Sequence, residues 1–292
     1  MNAAGTCKSL RRVKELALTD TTAIVYGTST YQPRSRNTGN VFYRCQTFSQ
    51  NSFGMDNEGG EYHRMALPEM VKIAHDAGKL FIWSVAGDTP EEYAIMSEIG
   101  KRADADIIEQ NLGCPNKWSG GVQGQIPSYD PDLVKEIVLR TNERVGLMDL
   151  LLKVSWLDPF SLKRLAGVIV NDLPTLLVRG VVTINTIANT LSYDDFGHTR
   201  ITPGNGLAGL GGPAIREIAP GQVWQWRQAL PDRIAVIGAG GISEPAHIVD
   251  YLDRAGASAA QIATALFGES PEDRNYDLFS TLLMGYHRLH RV

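Results

Sequence analysis

Short apolar runs, many of them rich in β-branched residues, alternate with amphipathic stretches along nearly the whole chain. Runs of this kind are typical of buried strands, and their alternation with helical stretches indicates repeated βα units around a parallel sheet. The predicted strands are Thr22–Val25, Leu80–Val85, Ile107–Asn111, Leu151–Val154, Val181–Ile184, Ile234–Ile237 and Ala260–Ala263. Met1–Ala3 is the candidate for an eighth strand.

Four of the amphipathic stretches carry a proline at their start, namely Pro90, Pro131, Pro159 and Pro245. Proline suits the first turn of a helix because its missing N–H would have no intrahelical partner there. No low-complexity segment or linker interrupts the alternation. The pattern therefore predicts one α/β domain over residues 1–292, folded as a (β/α)8 TIM barrel.

Two segments do not follow the alternation. Residues 27–60 are polar and glycine-rich, and they contain the alternating run "VFYRCQTFS", which predicts a hairpin laid over one end of the barrel. Residues 191–212 are glycine-rich and lack a helical period, which predicts a long loop. Long excursions from a compact βα fold are usually functional, so we expect both segments to lie over the C-terminal face.

Composition narrows the class of protein. Hydrophobic residues make up 43% and charged residues 21% of the 292 residues, as in globular proteins that bury a sizeable core. A net charge of -4 gives no basic footprint for nucleic acid, and no apolar run is long enough for a membrane span. Three widely spaced cysteines without a C-x-x-C pair favour reduced thiols, and a cytoplasmic protein is expected.

Polar and glycine residues cluster directly after the predicted strands, where a βα barrel carries its active site. The third strand leads into "NLGCPN", the fourth ends at Lys153, and the fifth leads into "NTIAN". "GAGG" and "ATAL" follow the last two strands, the usual place for a phosphate held by backbone N–H groups. The sequence therefore predicts a site for a phosphorylated ligand near a thiol, several amides and one lysine.

Cys114 admits two interpretations. Most cysteines are small buried residues, and Cys114 could be a packed thiol at the mouth of a strand. Its position at a strand end, between Asn111 and Asn116, favours a reactive group that takes a proton as a thiolate. The glycine-rich segment 116–130 that follows it is predicted to be a lid that excludes water.

The ordered motifs of the chain resemble those of the class 1 dihydroorotate dehydrogenases. "NLGCPN" is similar to that family's "NLSCPN", "NSFGMDNEG" to "NSMGLPNLG", and "INTIAN" to "VNSIGN". "MNAAG", "GLAGLGG", "IGAGGI" and "QIATAL" also match in order and spacing, so the resemblance covers essentially the whole chain.

The resemblance implies an FMN-dependent oxidoreductase that converts dihydroorotate to orotate in pyrimidine biosynthesis, with Cys114 as the base. It implies that FMN is bound by Ala3, Ala4, Gly5, Thr28, Asn111, Lys153, Gly212, Gly240, Gly241, Ala263 and Thr264. It implies that the pyrimidine is bound by Asn51, Phe53, Gly54, Met55, Asn111, Asn116, Asn185 and Thr186. A homodimer and an electron acceptor such as fumarate are further expectations of the same kind.

One departure from the family bears on the substrate. Gly27 stands where the family has a lysine that contacts both flavin and substrate carboxylate, and Asp56 stands where it has a proline. Either a loop cation such as Arg34 replaces the lysine, or the substrate lacks the carboxylate. Two other hypotheses stay open at this point: a flavoprotein acting on tRNA uridine, as in the dihydrouridine synthases, and an FMN-binding barrel without this activity.

Overall fold

A curved parallel sheet forms the centre of the protein in the computed structural model, which describes residues 1–119, 121–174, 177–268 and 272–290. Its seven strands, in spatial order, are β1 (Ala23–Thr30), β4 (Leu80–Ala86), β5 (Ile107–Asn111), β8 (Leu150–Val154), β9 (Val178–Thr183), β12 (Ala235–Ala239) and β13 (Ala259–Gln261). All neighbours in this sheet are parallel. The predicted (β/α)8 barrel is confirmed, and each of the seven predicted strands overlaps an observed one.

The segment Met1–Cys7 lies between the two edges of this sheet. Ala3 N donates to Ile262 O at 2.7 Å on one side, while Gly27 N donates to Cys7 O at 2.9 Å on the other. The buried side chain of Asn2 substitutes for a strand neighbour, since it accepts from Val25 N at 2.9 Å and donates to Val25 O at 2.7 Å. The predicted eighth strand is thus one parallel bridge, Asn2 with Ile262, extended by a side chain.

The helices pack around the outside of the sheet. Their bounds are α1 (Leu10–Ala17), α2 (Gly60–Asp76), α3 (Pro90–Arg102), α4 (Pro131–Val145), α5 (Pro159–Gly167), α6 (Ile218–Ala229), α7 (Pro245–Val249) and α8 (Leu278–Leu289). All four predicted proline starts are confirmed, and Thr89, Asp130 and Asp158 cap three of them with their side-chain oxygens. Among the described residues, no helix combines the length and apolar character that crossing a membrane requires.

Residues on each strand alternate between two apolar layers. On β1, Ile24 and Tyr26 join the large core between sheet and helices, while Ala23 and Val25 join a small cluster inside the barrel. Leu151 and Ile237 contribute to the same interior cluster. Because side chains alternate along a strand, the residue two positions after Leu151, Lys153, also points into the barrel, above this apolar layer.

A second, four-stranded sheet covers part of the C-terminal face. It has the order β10 (Ile187–Thr190), β11 (Ala208–Gly211), β3 (Ser49–Asn51) and β2 (Phe42–Arg44). The antiparallel pair β2 and β3 confirms the predicted hairpin. The prediction of a long loop over residues 191–212 is wrong at its end, because the glycine-rich β11 forms a strand by pairing with the distant β3.

The predicted lid contains a short antiparallel hairpin of β6 (Trp118–Ser119) and β7 (Val122–Gln123), and its residue 120 lies outside the described residues. Trp118 anchors the hairpin, since its Nε1 donates to Ser52 Oγ at 3.1 Å and its ring leaves no room for a Cβ at Gly204. That this segment acts as a lid and excludes water stays a prediction.

Barrel closure by Asn2 gives a test of stability. In Asn2→Ala, the amide and carbonyl of Val25 lose their buried partners, so we expect the free energy of unfolding to fall by about 2 to 4 kcal/mol. Urea titration followed by circular dichroism measures the change, with the exposed Gln228→Ala as control. A loss below about 0.5 kcal/mol, the usual scale of a surface substitution, would contradict this view of barrel closure.

Candidate active site

A cavity of about 250 Å³ lies at the carboxyl ends of the barrel strands. Most of the residues predicted to bind FMN line it, namely Ala3, Ala4, Gly5, Lys153, Gly212, Gly240, Gly241, Ala263 and Thr264. Asn51, Phe53, Asn185 and Thr186, from the predicted pyrimidine set, line the same cavity. Residues from seven separate stretches of the sequence therefore converge on one space.

The walls of this cavity fit a flat phosphorylated cofactor such as FMN. Gly5 has φ 92°, and a Cβ placed there would meet no atom within 4 Å. The backbone of Gly5 therefore faces open space at the cavity. Gly240 and Gly241 have φ 134° and 68°, conformations that glycine adopts without strain and that expose successive backbone groups to an anion. The residues present therefore suit both the ring and the phosphate of such a group.

Lys153 is held beneath the cavity by a buried polar network. Its Nζ donates to Gln261 Oε1 at 3.0 Å and lies 3.6 Å from Glu109 Oε1, while Gln261 Nε2 donates to Glu109 Oε2 at 2.6 Å. All three side chains are buried. Lys153 therefore presents its ammonium group at the cavity wall, beside the carboxylate of Glu109.

Two members of this network, Glu109 and Gln261, are not among the residues predicted from the sequence. Each occupies an inward position of a strand, because alternation places Glu109 with Ile107 and Gln261 with Ala259 at the interior cluster. The sequence feature that could have predicted Glu109 is its charge inside the otherwise apolar start of the strand "IIEQN".

Asn111 joins three strand ends through its side-chain amide. Its Nδ2 donates to Thr28 Oγ1 at 2.8 Å, and its Oδ1 accepts from Asn185 Nδ2 at 3.0 Å. Thr28 in turn contacts Ser84 Oγ at 3.1 Å. The hydroxyl of Tyr93 donates to the backbone oxygen of Asn111 at 3.0 Å. Three predicted site residues thus form one buried chain of hydrogen bonds.

Asn51 and Asn116 form a second amide pair, in which Asn116 Nδ2 donates to Asn51 Oδ1 at 2.7 Å. The remaining oxygen, Asn116 Oδ1, is buried and accepts no hydrogen bond from the described residues. A buried acceptor without a donor is costly, so a ligand N–H that reached this oxygen, beside the cavity-lining Asn51, would be stabilising.

Cys114 lies on the other side of the amides, at a separate small cavity of about 50 Å³ that Met55, Tyr93 and Asn111 also line. Burial raises the pKa of its thiol above the ordinary value, while the backbone N–H of Asn116 and the charges of Lys8, Lys117 and Arg34 act to lower it. The thiol is therefore near donors and cations that can stabilise its thiolate.

Gly54 lies between Phe53 and Met55, which line the large and the small cavity respectively. Thr28 and Asn116 line neither cavity, but each is hydrogen-bonded to a residue that does, Asn111 and Asn51 respectively. The predicted residues therefore lie on two sides of the amides. One side is the large cavity proposed for the cofactor, and the other is the small cavity with the Cys114 thiol.

Gly27 lies on β1 with φ 111°, and a Cβ at this position would be 2.4 Å from Ser84 O. The backbone here does not accommodate a side chain without a shift of β4. The departure from the family's lysine is therefore built into the local structure.

Fold and site together define an oxidoreductase-type βα barrel that holds a phosphorylated ring cofactor beside a thiol. Comparison with known proteins agrees, since the sequence pattern of the family described as Dihydroorotate dehydrogenase matches residues 1–273. The chain is 31% identical over 275 residues to the dihydroorotate dehydrogenase (fumarate) of Lachancea kluyveri, an alignment that covers 92% of this chain and 83% of that protein.

The enzyme of the same name from Saccharomyces bayanus is 30% identical over 274 residues, which cover 91% of this chain and 82% of the relative. This chain therefore belongs to the dihydroorotate dehydrogenase family, in its class 1 branch. The family is FMN-dependent, and membership does not favour the dihydrouridine synthase hypothesis.

The three thiols differ in the ease with which they should form thiolates. Burial raises the pKa of Cys7 to about 12. Partial burial acts to raise the pKa of Cys45, but hydrogen bonds with Thr47, Phe48 and Tyr43 outweigh it and the net shift of the pKa is downward. We therefore expect iodoacetamide to alkylate Cys45 first at neutral pH. Cys114 should react only as the pH rises above the pKa of an ordinary thiol.

Peptide mass spectrometry after timed alkylation at several pH values measures this order. Alkylation of Cys114 ahead of Cys45 at pH 7 would contradict the raised pKa of Cys114.

Proposed function

We propose that this protein oxidises dihydroorotate to orotate, with FMN in the large cavity and Cys114 as the proton acceptor. The observation that carries the proposal is the amide cluster between the two cavities, with Asn116 Oδ1, which has no donor in the described part of the chain, at its edge. Family membership supports the same reaction, since the relatives carry the name of this dehydrogenase.

Amides suit a pyrimidine ring because the ring presents N–H donors and carbonyl acceptors in one plane, and asparagine offers both without adding charge. Asn51, Asn111, Asn116 and Asn185 would pair with the ring edge. Thr186, Phe53, Gly54 and Met55 would complete the pocket around it. Such a site discriminates against analogues that leave its buried amides unpaired.

Bound FMN would supply the acceptor for the hydride that leaves the substrate. Ala3, Ala4, Gly5, Thr28, Asn111, Gly212, Gly240, Gly241, Ala263 and Thr264 would hold it, as the resemblance implies and as the cavity lining supports for most of them. Lys153 would place its ammonium against the part of the ring that gains negative charge.

Cys114 would remove the proton from the carbon next to the one that loses hydride. The small cavity that it lines is separate from the large one, so a ring between the cavities would have the thiolate on one face and the cofactor on the other. The N–H of Asn116 and the nearby cations would stabilise the thiolate against its burial. Closure of the 116–130 segment would exclude water from this step.

Fumarate is the proposed electron acceptor, because the names of both relatives specify it. A homodimer stays a prediction from the resemblance. A cytoplasmic location and a single domain over residues 1–292 stay predictions from the composition and pattern of the chain.

The proposal predicts that dihydroorotate bleaches the flavin absorbance of the anaerobic holoprotein. In Cys114→Ala, we expect FMN to stay bound and the rate of bleaching to fall by about 10²- to 10⁴-fold, the usual contribution of a positioned base. Stopped-flow absorbance measures both proteins.

Cys45→Ala is the matched control, since it removes a thiol that also borders the large cavity and whose Sγ contacts Thr47 and Phe48. Unmodified protein that dihydroorotate does not bleach would overturn the proposed reaction. Equal rates in Cys114→Ala and unmodified protein would overturn the role of Cys114 alone.

A further inference from the structure

The backbone at Gly27 leaves the proposed substrate site without the cation that the family carries at this position. The chain departs from the family at a second place as well, because Asp56 occupies the position of a proline directly after Phe53, Gly54 and Met55. The two departures lie close to each other in space, since one side chain connects their neighbourhoods.

That side chain is Lys8. It follows Cys7, whose carbonyl accepts the N–H of Gly27 at 2.9 Å, so it projects from the chain that runs beside Gly27. Its Nζ lies 2.5 Å from Asp56 Oδ1 and 3.1 Å from Asp56 O, and its side chain is 25% exposed. The side chain of Lys8 thus extends from the segment beside Gly27 to Asp56, at the end of the loop that is predicted to contact the pyrimidine.

Positive charge is in surplus around this loop. Asp56 is shared by Lys8 and Arg36, whose Nε lies 3.5 Å from Asp56 Oδ2. Asp88 is likewise shared by Arg34 and Lys117. Arg36 also pairs with Glu272, at 3.1 Å, so these four cations face three carboxylates and one positive charge is left over for an anion.

We propose that Lys8, positioned by Asp56, is the cation that recognises the carboxylate of an anionic pyrimidine in this protein. The inference rests on the proposed function and names the substrate class of the same site. Lys8 has the capacity for this, because an ammonium carries three donors and Asp56 takes two of them among the described residues. The third remains for a carboxylate oxygen.

Arg34, which the sequence suggested as a replacement for the family's lysine, is paired with Asp88. Its Nη2 donates to both oxygens of Asp88, at 3.0 Å and 2.8 Å. The charge of Lys8 also acts on the Cys114 thiol to lower its pKa, ahead of the charges of Lys117 and Arg34. Lys117 lines the small cavity but is paired with Asp88, whereas Lys8 reaches the loop end beside Met55 through Asp56.

The test compares the binding of orotate and uracil, which share the ring but differ in the carboxylate. Titration of the FMN-loaded protein, followed by the change in flavin absorbance, gives a Kd for each. In Lys8→Met, we expect the Kd of orotate to rise at least tenfold, while the Kd of uracil changes less than twofold. Lys14→Met is the control, since it removes an exposed lysine from the same end of the chain.

Removal of Lys8 also unmasks the carboxylate of Asp56, which could repel orotate by itself. The double variant Lys8→Met/Asp56→Asn separates the two effects. Weak binding of orotate in the double variant supports direct recognition by Lys8, whereas recovery to the affinity of the unmodified protein would overturn it. Lys8→Arg, which keeps the charge, should retain most of the affinity.

Three further outcomes overturn the inference: an unchanged Kd of orotate in Lys8→Met, an equal loss for uracil, or equal affinities of the unmodified protein for both ligands. If Lys8→Met does not hold FMN, the salt dependence of binding to the unmodified protein tests the inference. Recognition by a cation requires that added salt weaken the binding of orotate and leave the binding of uracil unchanged. Bleaching by dihydroorotate is measured separately, so each of these results leaves the test of the proposed reaction intact.

Discussion

The candidate site depends on the hydrogen bonds of one side chain, the amide of Asn111. At the carboxyl end of β5, its nitrogen donates to Thr28 and its oxygen accepts from Asn185, so it fixes the ends of three strands relative to one another. Buried amides have to be satisfied, and this chain of partners allows few other arrangements. The large cavity lies on one side of these amides and Cys114 on the other.

Electrostatics divide the site in a similar way. On the cofactor side, Lys153 is balanced within the barrel by Glu109, with Gln261 bridging the two. On the thiol side, Lys8 and Arg36 share Asp56, Arg36 also pairs with Glu272, and Asp88 takes two further cations, so the balance is one positive charge. The ammonium of Lys153 thus faces the cavity proposed for the FMN ring, while the positive charge on the thiol side favours an anionic ligand and a thiolate.

Much of this arrangement could be predicted from sequence, because parallel strands bring their carboxyl ends together and the residues after each strand were visible as motifs. Cys114, Lys153 and the asparagines were found in this way. Contacts between distant segments could not be found, since no local pattern reports them. β11 becomes a strand only by pairing with β3, and Lys8 meets Asp56 across 48 residues of sequence. Likewise, the geometry at Gly27 depends on the approach of Ser84 O from the next strand.

A crystal structure of the FMN-loaded protein with orotate tests the central claim most directly. We expect the orotate ring to lie between the flavin and Cys114, with one ring N–H donating to Asn116 Oδ1 and the ring edge paired to Asn111 and Asn185. Orotate bound away from these amides, or a Cys114 sulfur on the same face of the ring as the flavin, would contradict the account.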